Sequence, residues 1–337
     1  MKKLNIVVIG YYGKLNAGDD ILMQAISYLF KEHNLMFTSW FPGLSLLNAS
    51  DLILVGGGSI WPGNYFFQLG DSLIKKLKTP YMIIGVSTKN ANQSILSKNK
   101  RLIEKAELFL VRDDASKYVL GDLEKIMTGT DLFWTMPYEI DRTNIDETFS
   151  IGVNFRLWNN NTSDYKNLTE VVNSAGDVIP FPMYFGSQIH ESSATMSDFE
   201  LLKELGFENV FPCFSAKALE RCHVMVAMRF HSVLMSVRAG IPTIGFDYHP
   251  KVKAFYEENG LMNFCINLGD AEGLKRLIYE IKSNYESASK DFRLVSEKLK
   301  IKGEHTKSII DIKLANISKK KISFKSKLKE KIINLLV

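Results

Sequence analysis

Apolar residues arrive in two rhythms along the first part of this chain. Short, mostly apolar runs at residues 4–9, 51–55, 81–85, 108–111 and 125–127 read as strands buried on both faces. Spaced positions such as Ile21, Leu22, Ala25, Ile26 and Leu29 instead put one apolar stripe on a helix. Helical patterns also fill 92–106 and 113–120, between strands. Strictly alternating strands and helices predict an α/β domain built on a parallel sheet.

The most polar interruption covers residues 139–148 and reads as a linker. Beyond it the alternation resumes with strands at 150–155 and 177–183, the second broken by Pro180 and Pro182. A compact strand, helix, strand sequence follows at 224–227, 232–239 and 241–246, with Gly240 and Pro242 stopping the helix. Residues 270–317 are helical and amphipathic, through Leu274, Ile278 and Ile281 and then Phe292, Val295 and Leu299; such helices pack on the sheet or cross back to the first domain. The pattern predicts a domain over 1–140, a second over 149–312, and a terminal segment, 313–337.

A length of 337 residues suits two domains that each bury a core. The formal charge of +5 is uneven: from residue 313 onward eight lysines face one acid, Glu330, so the tail carries +7 and the rest −2. A near-neutral body lacks the basic face that nucleic-acid binding requires. In the tail, Ile317, Phe324, Leu328, Ile332 and Leu335 share one helical face with most lysines off it. That pattern suits peripheral contact with an anionic membrane, although a solvated terminus or a helix docked on the body has the same composition. Cys213, Cys222 and Cys265 have neither metal-site spacing nor an even count, the usage of free thiols in a reducing compartment. The opening apolar run ends at Gly10 with no small-residue cleavage site, and no run is long enough to span a bilayer. A cytoplasmic protein is expected.

Reactive groups concentrate where the 224–227 strand meets its helix. Arg229 can hold a carboxylate or phosphate through two parallel hydrogen bonds, and His231 is of the residue type best suited to moving protons at neutral pH. In open parallel sheets ligands bind beyond the carboxyl ends of strands, where these residues fall. A local salt bridge for Arg229 and a structural role for His231 remain the alternatives. Near the start, Gly10, Gly13 and Gly18 lack dinucleotide-binding spacing. Asp19 fits a helix cap, a site role, or both. Gly56-Gly57-Gly58-Ser59 reads as a loop where a ligand can approach backbone N–H groups, though tight turns use glycines too. Trp61, Tyr65 and Phe66 suit a core or a surface on which a sugar ring stacks. Arg112 could reach a site or pair with Asp113 to fix the next helix. The six histidines are scattered and H-E-x-x-H is absent, so no metal is expected.

Several of these stretches together resemble the polysaccharide pyruvyl transferase family: Asn16-x-Gly18-Asp19, the glycine run, Val111-Arg112-Asp113 with Ser116, a second-domain strand ending in Arg156, and Arg229-x-His231 followed by Ala239-Gly240-x-Pro242, Tyr248-His249-Pro250-Lys251 and Phe255. The family usually has Leu where this chain has Phe230. The resemblance implies two Rossmann-like domains facing a cleft, as in GT-B glycosyltransferases, with the acceptor on the N-terminal side and the donor on the C-terminal side. It implies transfer of the enolpyruvyl unit of phosphoenolpyruvate to two hydroxyls of a sugar of a cell-surface polysaccharide or its precursor, lipid-linked or not, giving a cyclic ketal and phosphate with no cofactor. His231 would move the proton, Arg156, Arg229 and Lys251 would hold the donor, and Asn16, Gly18, Asp19, Gly57, Gly58 and Arg112 would line the cleft. A GT-B-type nucleotide-sugar glycosyltransferase in polysaccharide synthesis and a non-catalytic carbohydrate-binding or scaffold protein are the alternatives.

Overall fold

The computed structural model describes residues 3–88, 93–121, 123–142, 148–158, 163–186, 196–211 and 215–336, with the backbone alone at 93 and 320–336. By contacts the chain divides into two compact units, one of Met1–Tyr12, Leu22–Met136 and Lys300–Val337, the other of Gly13–Ile21 and Pro137–Leu299. These bounds redraw the sequence reading twice: a short N-terminal stretch joins the second unit, and the end of the chain joins the first.

In the first unit the elements run β1 (Asn5–Ile9), α1 (Ala17–Leu29), β2 (Asn34–Thr38), α2 (Leu44–Ala49), β3 (Leu52–Trp61), α3 (Tyr65–Ile74), β4 (Tyr81–Thr88), α4 (Gln93–Lys98), α5 (Lys100–Lys105), β5 (Leu108–Val111), α6 (Asp114–Leu120) and β6 (Ile126–Thr128). The strands form one sheet in the order β2-β1-β3-β4-β5-β6, every described pair parallel. The predicted helix over 92–106 is two helices that meet at Asn99. Strand β2 carried no continuous apolar run because it is an edge strand with none of its residues fully buried.

The glycine run is not a loop. Strand β3 continues through residues 56–58 to Trp61, pairing Gly56 with Ile84 and Gly58 with Val86 before its register shifts. Gly57 and Gly58 have φ of 77° and 86°, values that favour glycine. The closeness the run permits is used by the chain itself, since Tyr12 Oη donates to the Gly56 carbonyl and a Cβ on Gly57 would lie 3.1 Å from Leu22 Cβ. Trp61 and Phe66 are buried in the core of this unit, while Tyr65 is half-buried with its ring edge-on to Phe41.

The second unit contains β7 (Ser150–Asn154), α7 (Ser163–Ala175), β8 (Asp177–Pro180), α8 (Asp198–Glu204), α9 (Ala216–Glu220), β9 (Val224–Ala227), α10 (Phe230–Arg238), β10 (Thr243–Phe246), α11 (Pro250–Glu258), β11 (Cys265–Ile266), α12 (Ala271–Ser283) and the start of α13 (Tyr285–Leu336). Its sheet is also parallel, in the order β11-β10-β9-β7-β8. The chain runs from β7 outward to β8 and then returns to β9 on the other side of β7. That reversal puts the switch point of the sheet between β7 and β9, and sheets of this kind bind ligands beyond the carboxyl ends of such strands. Ile151, Val153, Val224, Val226 and Ile244 bury the sheet face against Leu168, Val172, Leu277 and Ile278 of the flanking helices. Strand β8 stops at Pro180, where the prolines remove ladder donors.

Helix α13 is unbroken across the predicted boundary at 312 and 313. Its first part packs in the second unit, with Phe292 on Phe264 and the Ser289 and Ser296 hydroxyls on the carbonyls of Gly240 and Arg238. Ile310, Leu314 and Ile317 are buried in the first. Ile317 therefore belongs to the folded body and not to an apolar face of the tail; the side chains of Phe324, Leu328, Ile332 and Leu335 lie outside the described residues, as does Cys213. Among the described residues Cys222 and Cys265 are free thiols, and no helix is long and apolar enough to cross a membrane.

Candidate active site

A buried ion pair lies beyond the carboxyl ends of β7 and β9. Arg229 is the N-cap residue of α10 and is 7% exposed, and its guanidinium meets Asp198, 1% exposed, at the start of α8. Nε lies 3.1 and 3.0 Å from the two carboxylate oxygens and Nη2 lies 2.6 Å from Oδ1. Asn154 at the end of β7 completes the group: its Oδ1 accepts the Arg229 backbone N–H at 2.8 Å and its Nδ2 donates to the Phe181 carbonyl at 2.8 Å. Charge-assisted bonds of this length are strong, and burial makes the pair costly to separate. Arg229 is thus salt-bridged, but not locally as the alternative reading had it: its partner is 31 residues away.

His231 stands on the first turn of α10, half-buried, against the N-terminal loop. A Cβ on Gly18 would come within 2.5 Å of His231 Nδ1 and 3.0 Å of its Cγ, so only glycine lets the loop approach this ring. The loop is anchored on both sides. Residue Asn16 forms an antiparallel bridge with Tyr184, the Ala17 N–H donates to the Met183 carbonyl at 2.8 Å, and the Phe185 N–H donates to the Leu15 carbonyl at 2.9 Å. Asn16 also begins α1, accepting the Gly18 N–H on its side chain at 3.0 Å and the Asp19 and Asp20 N–H groups on its carbonyl. The cap expected of Asp19 is therefore made by Asn16, with Asp19 and Asp20 in the first turn, where carboxylates favour the helix dipole. Burial pushes the Asp20 carboxyl above its usual value of 3.8.

Two further cations lie in the same unit. Arg156, just past β7, stacks its guanidinium 5.3 Å from the Trp158 ring and is hydrogen-bonded to Tyr248. The Tyr248 hydroxyl donates to the Met228 carbonyl at 2.8 Å; burial raises its pKa, Arg156 and Arg229 oppose the rise, and Asp198 adds to it. Those influences place Arg156, Tyr248, Arg229 and Asp198 in one neighbourhood. Lys251 lies in the first turn of α11, a helix capped by His249, whose Nδ1 accepts the Lys251 N–H at 3.2 Å. Its Nζ is 5.9 Å from the Phe230 ring centre, and Phe230 in turn lies edge-on to His231 at 5.8 Å. Phe230 thus links Lys251 to His231.

The remaining sequence candidates, Gly57, Gly58 and Arg112, belong to the first unit. There Arg112 is 6% exposed and donates to Asp113 at 3.2 Å, Asp131 at 3.3 Å and Ser59 at 3.5 Å. Asp113 caps α6 by accepting the Ser116 N–H at 2.7 Å, so the pairing that fixes the next helix is realised. Sequence reasoning missed Asp198, Asn154 and Tyr184. The one available signal was Ser197-x-x-Glu200, a reciprocal capping box that marks the start of α8, where Asp198 sits. Among the described residues no group of three or more His, Cys, Asp or Glu side chains is arranged to hold a metal ion.

A family model described as polysaccharide pyruvyl transferase matches residues 16–185, which is 170 of the 337 residues. No curated protein matches the sequence. Solved structures share the fold at low identity. Anabaena HepE, crystallised with UDP-glucose, is 12% identical with a TM-score of 0.62 over 93% of this chain and all, 100%, of its own. CalG4, the calicheamicin glycosyltransferase, is 11% identical at 0.56, covering 94% and 100%. UDP-N-acetylglucosamine 2-epimerase from Neisseria meningitidis, bound to its nucleotide sugar, is 10% identical at 0.56, covering 94% and 100%. The fold is that of GT-B glycosyltransferases, two parallel α/β units.

Proposed function

This chain belongs to the polysaccharide pyruvyl transferase family, and we propose that it transfers the enolpyruvyl unit of phosphoenolpyruvate to two hydroxyls of a sugar, forming a pyruvate ketal and releasing phosphate. The observation that carries the reading is the gathering, in one unit, of His231 and the cations Arg156, Arg229 and Lys251 beyond the carboxyl ends of β7, β9 and β10. A donor with a carboxylate and a phosphate needs such cations, and its neutral methylene carbon needs a proton source.

In the proposed course the donor methylene takes a proton delivered by His231, leaving a cation at the carbon that bears phosphate. One sugar hydroxyl adds there and loses its proton. Phosphate then departs with the carbon–oxygen bond electrons, and the second hydroxyl adds to the cation that results. One hydroxyl proton is retained in the new methyl group and the other leaves with phosphate or solvent. Arg156, Arg229 and Lys251 act where charge develops and departs. A positioned proton donor contributes about two to four orders of magnitude in rate.

Two measurements test this. Phosphoenolpyruvate at 100 times its Kd should stabilise the protein by about 2.7 kcal/mol, seen as a rise in Tm. Phosphate release should then follow on some member of a glycan panel, and His231→Ala should abolish it in a protein that stays folded. Stabilisation by UDP-glucose with none by phosphoenolpyruvate would overturn the reading in favour of nucleotide-sugar transfer. Turnover within a few-fold of wild type in His231→Ala, with a lowered Tm, would reduce His231 to a structural residue.

A further inference from the structure

Asp198 lies beyond the matched stretch of the family and carries no motif, yet it is tied to several parts of the site. Its Oδ1 receives Arg229 Nε and Nη2, at 3.1 and 2.6 Å. Its Oδ2 receives Arg229 Nε at 3.0 Å, the Met183 N–H at 3.1 Å and Asn154 Nδ2 at 3.4 Å. The Asp198 backbone N–H donates to the Tyr184 carbonyl at 3.1 Å. One residue thereby holds the Met183–Tyr184 pair at both ends, through the Met183 N–H and the Tyr184 carbonyl, and Arg229 lies 5.2 Å over the Tyr184 ring. The Asp198 backbone is itself fixed, because Ser197 and Glu200 close a capping box around the start of α8.

The gripped segment is the one on which the N-terminal loop docks, through Ala17 to Met183, Phe185 to Leu15, and the bridge of Asn16 with Tyr184. At the end of that loop Gly18 meets His231. Two routes therefore leave the same carboxylate. One runs to the Arg229 guanidinium, and the other runs through Met183 and Ala17 to the face of His231.

We propose that Asp198 is a positioning residue that sets the Arg229 guanidinium and the loop against His231 as one unit, so that the cation and the proton carrier are held in register. The kinetic part of this role rests on the pyruvyl transfer reading above; the structural part does not. A residue that matters only for stability would, when altered, leave fewer active molecules with unchanged KM values. A positioning residue changes KM for the donor, whose charges Arg229 meets, and leaves KM for the neutral acceptor where it was.

The test uses the full chain with Asp198→Asn, which keeps the shape and removes the charge. Hydrogen exchange is followed at the amides of residues 17–20 and, as an internal reference, in β4. Exchange at 17–20 should quicken at least about tenfold more than in β4, since the loop opens locally in addition to the loss of stability that breaking the buried pair brings. Donor KM should rise by a similar factor with acceptor KM unchanged. Unaltered exchange at 17–20, or equal acceleration in both places, overturns the proposal. If Asp198→Asn does not fold, Asp198→Glu retains the charge and shifts it by one methylene, and the same two sets of amides decide between the outcomes. If the wild-type chain does not turn over phosphoenolpyruvate, the functional reading fails by itself, and the exchange comparison still decides whether Asp198 holds the loop.

Discussion

Gly18 and His231 are 213 residues apart in sequence and in van der Waals contact in the fold, close enough that a single added carbon at position 18 would lie 2.5 Å from the imidazole Nδ1. Gly18→Ala must therefore displace either the loop or the ring. A shift on the order of 1 Å in a catalytic group costs about 10²-fold in rate. We expect kcat/KM for phosphate release to fall by about that factor while the fold persists. Equal kinetics in Gly18→Ala and wild type would show that the contact has no part in turnover.

Replacing Arg229 and replacing Arg156 should have different consequences. Arg229 is clamped by a buried carboxylate, and removing one partner of such a pair costs about 3–5 kcal/mol because the other charge is left uncompensated. Arg229→Gln should lower the urea midpoint accordingly, with the slope of the transition unchanged. Arg156 is half-buried and lies on Trp158 and Tyr248. Arg156→Lys keeps the charge and loses the planar stack, so stability should barely move while donor KM rises about tenfold. A change confined to acceptor KM would remove Arg156 from the donor site.

His33 supplies a pH dependence with a definite sign. Its Nδ1 accepts the Leu4 N–H at 3.3 Å, and burial lowers its pKa below 6.5, with Lys3 and the N-terminus adding to the fall and Glu32 opposing it. Because the folded state resists protonation, the unfolded chain binds more protons just below pH 6.5. Stability is then present above that pH and is lost as pH falls through the lowered folded value. Thermal scans between pH 8 and 5 should show this decline, and His33→Gln should flatten it. An identical slope in the variant would assign the decline to other groups.

How much of this was legible in the sequence depended on the range of the interaction. Strand β9, helix α10 and the turn between them are local, and the apolar runs with Gly240 and Pro242 predicted them to within two residues. The glycine run was misread as a loop because residues 56–58 follow an apolar strand as a turn would; what keeps them in β3 is pairing with Ile84 and Val86, which no local pattern reports. Asp198 was invisible for the same reason. An acid at a helix start has a sufficient local explanation, and its partner Arg229 is 31 residues away.

Membrane contact by the tail can be tested with a cut placed beyond the buried residues. Ile310, Leu314 and Ile317 are buried, so the body needs α13 at least to Lys319. Liposome flotation should compare the full chain with one ending at Lys319. Recovery of the full chain alone, rising with anionic lipid and falling with salt, is expected at about 1 kcal/mol per lysine near the surface. Equal recovery of both, or of neither at low salt, would remove the tail as an anchor.

Helix α13 also sets the order in which the protein can be completed during synthesis. The first unit begins at the amino terminus but takes its last helix from residues 300–319, where the Gly303 backbone sits on Trp134 and Thr306 packs beside Gly129. A chain still on the ribosome has made all six strands of that unit long before this helix emerges. Until it does, the apolar surface awaiting Ile310, Leu314 and Ile317 stays open to water and to other chains. The second unit has all its segments once residue 299 is out. The half that is translated first is thus the half that closes last, and premature termination between residues 300 and 309, after the second unit is out and before Ile310, would release a chain with one finished unit and one prone to aggregate.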